Sequence, residues 1–364
     1  MRPQLLAAAA LALVACRRNA TTHQEEPVPA TSYTITSGEI VTTPRASAAP
    51  DVVDLATKVG PAVVSINVTQ QPKVQRELRE WPFGGIFGDR TRPRERHALG
   101  SGFVIDKKGL VVTNAHVVAD ADDVKVAFTD EREFDARVRG RDERLDVAVL
   151  ELQGVTRELP TVAFGSSDGL RVGEYVVAIG NPFGLGSTVT LGIVSAKSRA
   201  IGAGPYDDFI QTDASINPGN SGGPLFDARG YVIGMNTAMA AQAQGIGFAI
   251  PADAIKDIVP QLVTKGHVDR GMLGVTIGTP DPTKTNVHGA LVEQVQRGGA
   301  GQRAGLRPND LIVGIDGVDV RHANDLPRLV ARHPPGAHVK LDVLRGGQHV
   351  PLDVTLDALK ETKP

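Results

Sequence analysis

The chain has 364 residues, which exceeds one domain of ordinary size and predicts two domains with additional segments. Lys and Arg total 39 and Asp and Glu total 41, so the formal net charge is −2, which excludes the basic surface typical of nucleic-acid binding. No apolar run reaches the ~20 residues of a membrane-spanning helix. The single cysteine, Cys16, excludes an intramolecular disulfide and a multi-cysteine zinc site.

The N-terminus predicts export to the cell envelope. Residues 5–15 form an apolar stretch with the length of a signal-peptide core, so residues 1–15 are interpreted as a signal peptide. The stretch ends in Leu-Val-Ala before Cys16, which resembles a bacterial lipobox and predicts a periplasmic, membrane-anchored lipoprotein. Ordinary cleavage after Ala12, with Cys16 incidental, is the alternative. Residues 16–50 are rich in Thr, Pro, Ala and Ser and are predicted to form a flexible tether.

From residue 51 onward, short Val- and Ile-rich segments alternate with Gly, Asn and Asp, a pattern typical of strands and turns. Their spacing predicts an all-β body of about 200 residues, closed or sandwiched. A polar insertion is predicted over 71–98, and a helix over 252–265 that Pro260 kinks or ends early. The predicted strands are 63–68, 102–105, 110–112, 124–128, 147–152, 176–179, 189–194 and 232–235.

A second unit follows a short linker at residues 265–267. Residues 270–358 predict mixed strands with two short helices, near 300–304 and 324–332. The predicted domains are therefore 51–264 and 267–358, and the fold class is mostly β.

The strongest chemical signal is the turn Gly219-Asn220-Ser221-Gly222-Gly223-Pro224. Glycines on both sides allow a tight turn that projects the Ser221 side chain. The backbone N–H groups of Gly219, Asn220 and Ser221 could then converge as an oxyanion hole.

A serine nucleophile needs a general base and a group that orients this base. Only His97 and His116 fall inside the β body, and His97 lies among charged residues of the insertion, so His116 is the base by elimination. Asp146 opens an apolar strand and is the predicted orienting carboxylate. Asp142, in a charged run, is expected to be exposed and uninvolved.

His116, Asp146 and Ser221 occur in the chain order of chymotrypsin-like proteases. Each alone fits a structural residue: a buried histidine, a cap at a strand start, and a turn serine. All three together, in order and each in its expected context, favour a catalytic triad.

The body resembles the HtrA (Deg) family of serine endopeptidases over residues 51–358. The matching motifs are Gly100-Ser101-Gly102-Phe103-Val104-Ile105, Thr113-Asn114-Ala115-His116-Val117-Val118, Asp146-Val147-Ala148-Val149-Leu150, Ala178-Ile179-Gly180-Asn181-Pro182-Phe183-Gly184, Gln211-Thr212-Asp213-Ala214, the turn 219–224, and Gly247-Phe248-Ala249-Ile250-Pro251.

The resemblance implies a chymotrypsin-like double β-barrel followed by one PDZ domain. No cluster of metal ligands is visible in the sequence, so neither a metal nor a cofactor is expected. In that PDZ domain Met272, Leu273, Gly274 and Val275 would form the loop that binds the carboxylate of a peptide C-terminus. It also implies that the segment Thr237, Ala238 and Met239 pairs with the substrate backbone, and that Ile216 and Met239 line a specificity pocket for small or medium aliphatic side chains.

Trimerisation is a further implication of the family resemblance. Two features depart from the pattern: residues 240–244 are shorter than the Gly-rich loop of many members, and only one PDZ-like unit fits.

The sequence thus predicts an ATP-independent serine endopeptidase of the cell envelope that acts on misfolded or signal proteins. The alternative is a chaperone or sensor whose PDZ domain captures C-termini while the protease stays latent.

Overall fold

Two closed barrels of six antiparallel strands form the larger part of the molecule, a computed structural model. The strand order is β1-β2-β3-β6-β5-β4 in the first barrel and β10-β11-β12-β9-β8-β7 in the second, which confirms the predicted double β-barrel. The strands are β1 Val63–Gln70, β2 Arg96–Asp106, β3 Leu110–Thr113, β4 Asp123–Ala127, β5 Glu133–Asp142, β6 Val147–Leu152, β7 Tyr175–Gly180, β8 Thr188–Arg199, β9 Phe209–Thr212, β10 Pro224–Asp227, β11 Val232–Thr237 and β12 Gly247–Pro251.

The structure describes residues 49–70 and 96–359, except 120, 183–185, 203, 218, 238–244 and 282–286. The predictions for the signal peptide, Cys16 and nearly all of the tether lie outside these residues, as does most of the predicted insertion. The insertion was expected to reach residue 98, but β2 begins at Arg96, so His97 belongs to a strand. All described residues belong to one compact unit.

Burial follows the sequence pattern within each strand. In β4, Val124 and Val126 are buried while Lys125 between them is exposed, and every residue of β3 is buried. Strand β5 was not predicted because its long charged side chains alternate with small or apolar ones, so that its hydrophobic face is weak. It pairs with both β4 and β6 and closes the first barrel.

Two helices flank the barrels. Helix α1, Val52–Val59, has Asp51 as its N-cap, whose carboxylate accepts hydrogen bonds from the N–H groups of Val53 and Asp54. Helix α2, Ala252–Lys265, has the predicted bounds and continues past Pro260, so of the two expected effects of this proline, a kink or an early end, the early end is wrong. Pro260 lies on the exposed face, where water can satisfy the carbonyl that loses its helical partner.

The C-terminal unit has its own core. Strand β14 lies at one end of the main sheet, whose order is β14-β15-β16-β18-β19 with β17 beside β16, and β13 pairs with β20. The remaining elements are β13 Gly271–Met272, β14 Val275–Gly278, β15 Ala290–Val295, α3 Ala300–Arg303, β16 Leu311–Ile315, β17 Val318–Asp319, α4 Asp325–Ala331, β18 His338–Arg345, β19 Gln348–Thr355 and β20 Asp357–Ala358. None of α1–α4 has the length and apolar character needed to cross a bilayer.

Candidate active site

Sheet pairing in the first barrel brings His116 and Asp146 together. His116 lies in the short 3₁₀ turn Ala115–Val118 that follows β3, and Asp146 immediately precedes β6. Strands β3 and β6 are neighbours, with Thr113 opposite Ala148, so the end of one strand lies beside the start of the other.

Two contacts fix the orientation of the His116 ring. Its Nδ1 lies 2.7 Å from Oδ2 of Asp146, and the main-chain N–H of His116 donates to Oδ1 of the same carboxylate at 2.9 Å. An ionised carboxylate only accepts hydrogen bonds, so Nδ1 carries the proton of the neutral ring and Nε2 is left as an acceptor. The His116 side chain is 52% exposed and that of Asp146 is 18% exposed. This geometry suits a ring that takes a proton at Nε2.

The expectation that Asp142 is exposed is wrong. Asp142 ends β5 with its side chain 6% exposed, and both of its carboxylate oxygens accept hydrogen bonds from the guanidinium of Arg270, which is 4% exposed. The Arg270 guanidinium also lies 5.0 Å from the ring centroid of Tyr206. The sequence could not indicate this burial because the covering residue lies 128 positions along the chain.

The turn that carries Ser221 depends on glycines for both conformation and space. Gly219 and Gly222 have φ values of 115° and 82°, in the region that other residues rarely adopt. A Cβ atom on Gly222 would lie 2.3 Å from the main-chain oxygen of Ser101, and one on Gly219 would lie 2.6 Å from Cβ of Pro182. Ser221 itself is 6% exposed.

Ser101 fastens this turn of the second barrel to β2 of the first. Its main-chain N–H donates to the Ser221 carbonyl at 2.9 Å, and its hydroxyl donates to the Gly219 carbonyl. The same hydroxyl accepts from the N–H of Asn181 at 2.8 Å. The sequence indicates Ser101 only as part of a family motif and does not indicate this role. The partners of Ser101 lie far along the chain, and only the fold brings them near.

Asn114 is a second residue whose role the sequence did not indicate. Its Nδ2 donates to the Asp146 carbonyl at 3.0 Å, and its Oδ1 accepts from the Ser221 hydroxyl at 3.3 Å. Its position two residues before His116 was the available signal.

The three predicted oxyanion residues differ in what their N–H groups do. The Asn220 N–H donates to the Asn217 carbonyl at 3.1 Å, so it is not available to an oxyanion, and that member of the predicted set is wrong in this conformation. The Gly219 and Ser221 N–H groups remain the predicted donors. Asn220 instead holds the turn: its side chain accepts from the Asn217 N–H and donates to the Ser215 carbonyl.

The predicted substrate-contact residues are partly described. Ile216 is half-buried and packs against β12, where a Cβ atom on Gly247 would lie 2.4 Å from its Cγ1. Thr237 ends β11 and is buried. Ala238 and Met239 lie outside the described residues.

The predicted peptide-binding loop joins β13 to β14. Leu273 is buried in the core of the C-terminal unit and its carbonyl accepts from the Gly301 N–H at 2.7 Å. Gly274 has a φ of 69°, and its carbonyl accepts from the Gln296 N–H at 2.8 Å. Since β14 lies at the edge of its sheet, a peptide could add there as a further strand.

Two carboxyls, of the partly buried Asp208 before β9 and of the exposed Asp257 in α2, lie beside α4 of the C-terminal unit. Asp208 pairs with Arg328 at 3.0 Å and Asp257 pairs with Arg332 at 3.5 Å. Burial raises the pKa of both carboxyls despite the neighbouring guanidinium groups, which lower it.

Asp253, in the first turn of α2, differs from Asp208 and Asp257 because its pKa is lowered. Burial would raise its pKa, but hydrogen bonds from Lys256, from the Asp168 N–H and from the Ser167 side chain outweigh that effect and lower the pKa to about 2. No cluster of three or more His, Cys, Asp or Glu side chains that could hold a metal ion occurs among the described residues.

Two family models match the chain: a trypsin-like peptidase domain over residues 100–235 and a PDZ domain over residues 291–345. Curated relatives include the probable periplasmic serine endoprotease DegP-like of Brucella suis, 42% identical over 357 residues that cover 85% of this chain and 69% of the relative. The protein of the same name from Pseudomonas putida (strain W619) is 40% identical over 352 residues, covering 89% and 73%.

Solved structures agree with these relatives. The HtrA-type protease AlgW with a decapeptide has a TM-score of 0.69 and 37% identity, covering 85% of this chain and 99% of that one. The serine endoprotease from Yersinia pestis has a TM-score of 0.60 and 31% identity, covering 85% and 98%.

Proposed function

The chain belongs to the HtrA family of DegP-like serine endoproteases, with a trypsin-like peptidase domain and one PDZ domain, and on that premise we propose that it cleaves misfolded or signal proteins in the cell envelope without ATP. We propose His116, Asp146 and Ser221 as its catalytic residues. The observation that carries this assignment is the double contact of the Asp146 carboxylate with His116, at 2.7 and 2.9 Å, next to the turn of Ser221.

In the proposed reaction, Oγ of Ser221 attacks the carbonyl carbon of the scissile peptide and gives its proton to Nε2 of His116. Asp146 keeps the ring in the tautomer that can accept this proton and stabilises the imidazolium that forms. The N–H groups of Gly219 and Ser221 stabilise the oxyanion of the tetrahedral intermediate. His116 then protonates the leaving amine, and water hydrolyses the acyl-enzyme by the same steps.

We propose domain boundaries of 51–264 for the protease and 267–358 for the PDZ domain. The PDZ domain would take C-terminal peptides along β14, with Met272 to Val275 at the carboxylate. This mode of peptide binding is supported by the edge position of β14 and by the solved structures of AlgW with a decapeptide and with a tripeptide.

The substrate pocket is proposed to favour small or medium aliphatic side chains, with Ile216 and Met239 as its lining. The half-buried, apolar Ile216 against β12 supports this preference. Cleavage-site mapping on an unfolded protein measures it, and a majority of cuts after basic residues would contradict it.

A fluorophosphonate probe tests the function directly, because it reacts with an activated serine. We expect labelling of Ser221 and hydrolysis of an unfolded protein in buffer without nucleotide, and loss of both in Ser221→Ala. Wild-type turnover in Ser221→Ala would remove this residue from the mechanism. A wild-type enzyme that reacts only after a C-terminal peptide is added would favour the latent chaperone or sensor.

The name of the DegP-like relatives supports a periplasmic location for this chain as well. We further propose that Cys16 carries a lipid anchor after removal of residues 1–15. Acyl chains contribute about 0.8 kcal/mol per buried CH₂, so more than one chain would hold the protein on a membrane. Cys16→Ser should release an active enzyme into the soluble fraction. An unmodified Cys16 thiol found by mass spectrometry would contradict the anchor.

A homotrimer is proposed from family membership alone. Sedimentation equilibrium of the purified chain measures it, and a monomer at micromolar concentration would contradict it.

A further inference from the structure

We propose that Asn114 is a positioning residue of this protease, whose side-chain amide holds the turn of Ser221 in register with the turn of Asp146. The inference rests on the proposed roles of Ser221 and Asp146. Asn114 belongs neither to the triad nor to the oxyanion hole.

Asn114 is fully buried and both ends of its amide are used. Nδ2 donates to the main-chain carbonyl of Asp146 at 3.0 Å, and Oδ1 accepts from the hydroxyl of Ser221 at 3.3 Å. Asn114 also precedes the 3₁₀ turn of His116, where asparagine commonly caps, yet its side chain makes no capping bond. The amide is therefore committed to the two catalytic turns.

The direction of the amide follows from its partners. The Asp146 carbonyl can only accept, so Nδ2 faces it and Oδ1 faces Ser221. Asp146 has a φ of 55°, in the left-handed region, where a non-glycine residue is held in place by its surroundings. The bond from Asn114 restrains the main chain of this residue, while His116 holds its carboxylate.

The contact with the nucleophile is close but weak. A Cβ atom on Gly222 would lie 3.2 Å from the main-chain nitrogen of Asn114, so the two turns touch. An O–H···O hydrogen bond is usually about 2.7–2.8 Å long, and the 3.3 Å bond from Ser221 is longer. Such a bond aligns the hydroxyl in the resting enzyme and yields it to His116 Nε2 as the substrate carbonyl approaches.

Loss of the amide should therefore lower kcat with little change in KM. The bond to Ser221 is given up before the reaction, so only the bond to the Asp146 carbonyl persists in the transition state, and its net worth of about 0.5–1.5 kcal/mol corresponds to a fall in kcat of about 2- to 13-fold. Substrate contacts along β11 and the pocket stay in place, so KM should change by less than about threefold.

The matched control is Asn181. It is also fully buried and also lies beside the Ser221 turn, but its side-chain nitrogen and oxygen have no partner in the described part of the chain. The test compares Asn114→Ala, Asn114→Leu and Asn181→Ala, by kcat and KM on a fluorogenic unstructured peptide and by thermal unfolding. Asn114→Ala leaves a cavity at this buried site, whereas the side chain of Asn114→Leu fills the volume of the amide. The leucine variant therefore provides a second protein in which to measure kcat if the alanine variant does not fold.

We expect both Asn114 variants to lose kcat and Asn181→Ala to keep it. A second readout distinguishes positioning from a general loss of rigidity in the active site. Asn114→Ala should slow fluorophosphonate labelling of Ser221 in the otherwise wild-type protein. It should have a much smaller effect in Asp146→Ala, because no carboxylate is left to position there.

An unchanged kcat in a folded Asn114 variant, an equal loss in Asn181→Ala, or the same loss in the Asp146→Ala background would overturn the inference. None of these results would contradict the proposed function, which fails if Ser221→Ala remains active or if the probe does not label wild-type Ser221.

Discussion

Asp142 and Asp146 lie at the two ends of the turn between β5 and β6 and have opposite environments. Asp142 is buried and meets the buried guanidinium of Arg270, whereas Asp146 is partly accessible and meets the half-exposed ring of His116. A guanidinium keeps its charge and only donates, but an imidazole can gain and lose a proton near neutral pH. The partner and its exposure, more than the acidic residue itself, decide whether a carboxylate stabilises a fold or serves a reaction.

The largest expected effect comes from Asp146→Asn. The amide can present its NH₂ group to Nδ1 of His116, which favours the wrong ring tautomer, so kcat should fall by about 10⁴-fold. Steady-state hydrolysis of an unstructured peptide measures this, and circular dichroism checks that the variant is folded. A loss below about tenfold would contradict the assignment of Asp146.

Asp142→Asn should act on stability instead. It leaves the Arg270 charge buried without a counter-charge, and breaking a buried ion pair costs about 3–5 kcal/mol, towards the lower end here because the amide oxygen can still accept. Urea unfolding measures the loss, while kcat of the folded variant should stay within about threefold of wild type.

The double variant Asp142→Leu with Arg270→Met sharpens this prediction. It removes both charges, so it should be less destabilised than Asp142→Asn. Equal stability of the single and double variants would show that the buried charge is not what matters.

The smallest expected effect is a pH dependence of stability set by Asp253. Its folded pKa of about 2 lies below the unfolded value of about 3.9, so its contribution is present above pH 4 and is lost as the pH falls towards 2. Asp253→Asn should flatten this part of the urea-stability profile.

Asp208→Asn is the control for that profile. Burial raises the pKa of Asp208, so its contribution is present below the unfolded pKa and is lost as the pH rises through the folded one. Its replacement should leave the rise in stability between pH 2 and 4 intact. Equal slopes in wild type and Asp253→Asn would contradict the account.

The catalytic candidates could be predicted because their signals are local. The glycines around Ser221 indicate a tight turn, and two of them have the positive φ values that such a turn requires. His116 and Asp146 each flank a strongly apolar strand. The burial of Asp142 could not be predicted, because Arg270, which covers it, lies 128 residues further along the chain. The same holds for Ser101, whose partners lie 80 and 118 residues away.

The fold was predictable where hydrophobic periodicity is strong. The apolar strands β3, β6 and β7 stand out, whereas β5 is largely charged, and β9 and β10, which like β3 have four residues, contain only two large apolar side chains each. Helix α2 shows that Pro260, on the exposed face, does not end the helix, which the sequence alone could not settle.

In the proposed mechanism Asp146, and not Asp142, orients His116 as the base for Ser221. The second-order rate of fluorophosphonate labelling at Ser221, measured in wild type, Asp142→Asn and Asp146→Asn, tests this assignment most directly. Labelling is followed by mass spectrometry at a temperature at which all three proteins are folded. We expect similar rates in wild type and Asp142→Asn and a rate slower by orders of magnitude in Asp146→Asn. Slow labelling in Asp142→Asn with a normal rate in Asp146→Asn would contradict the assignment.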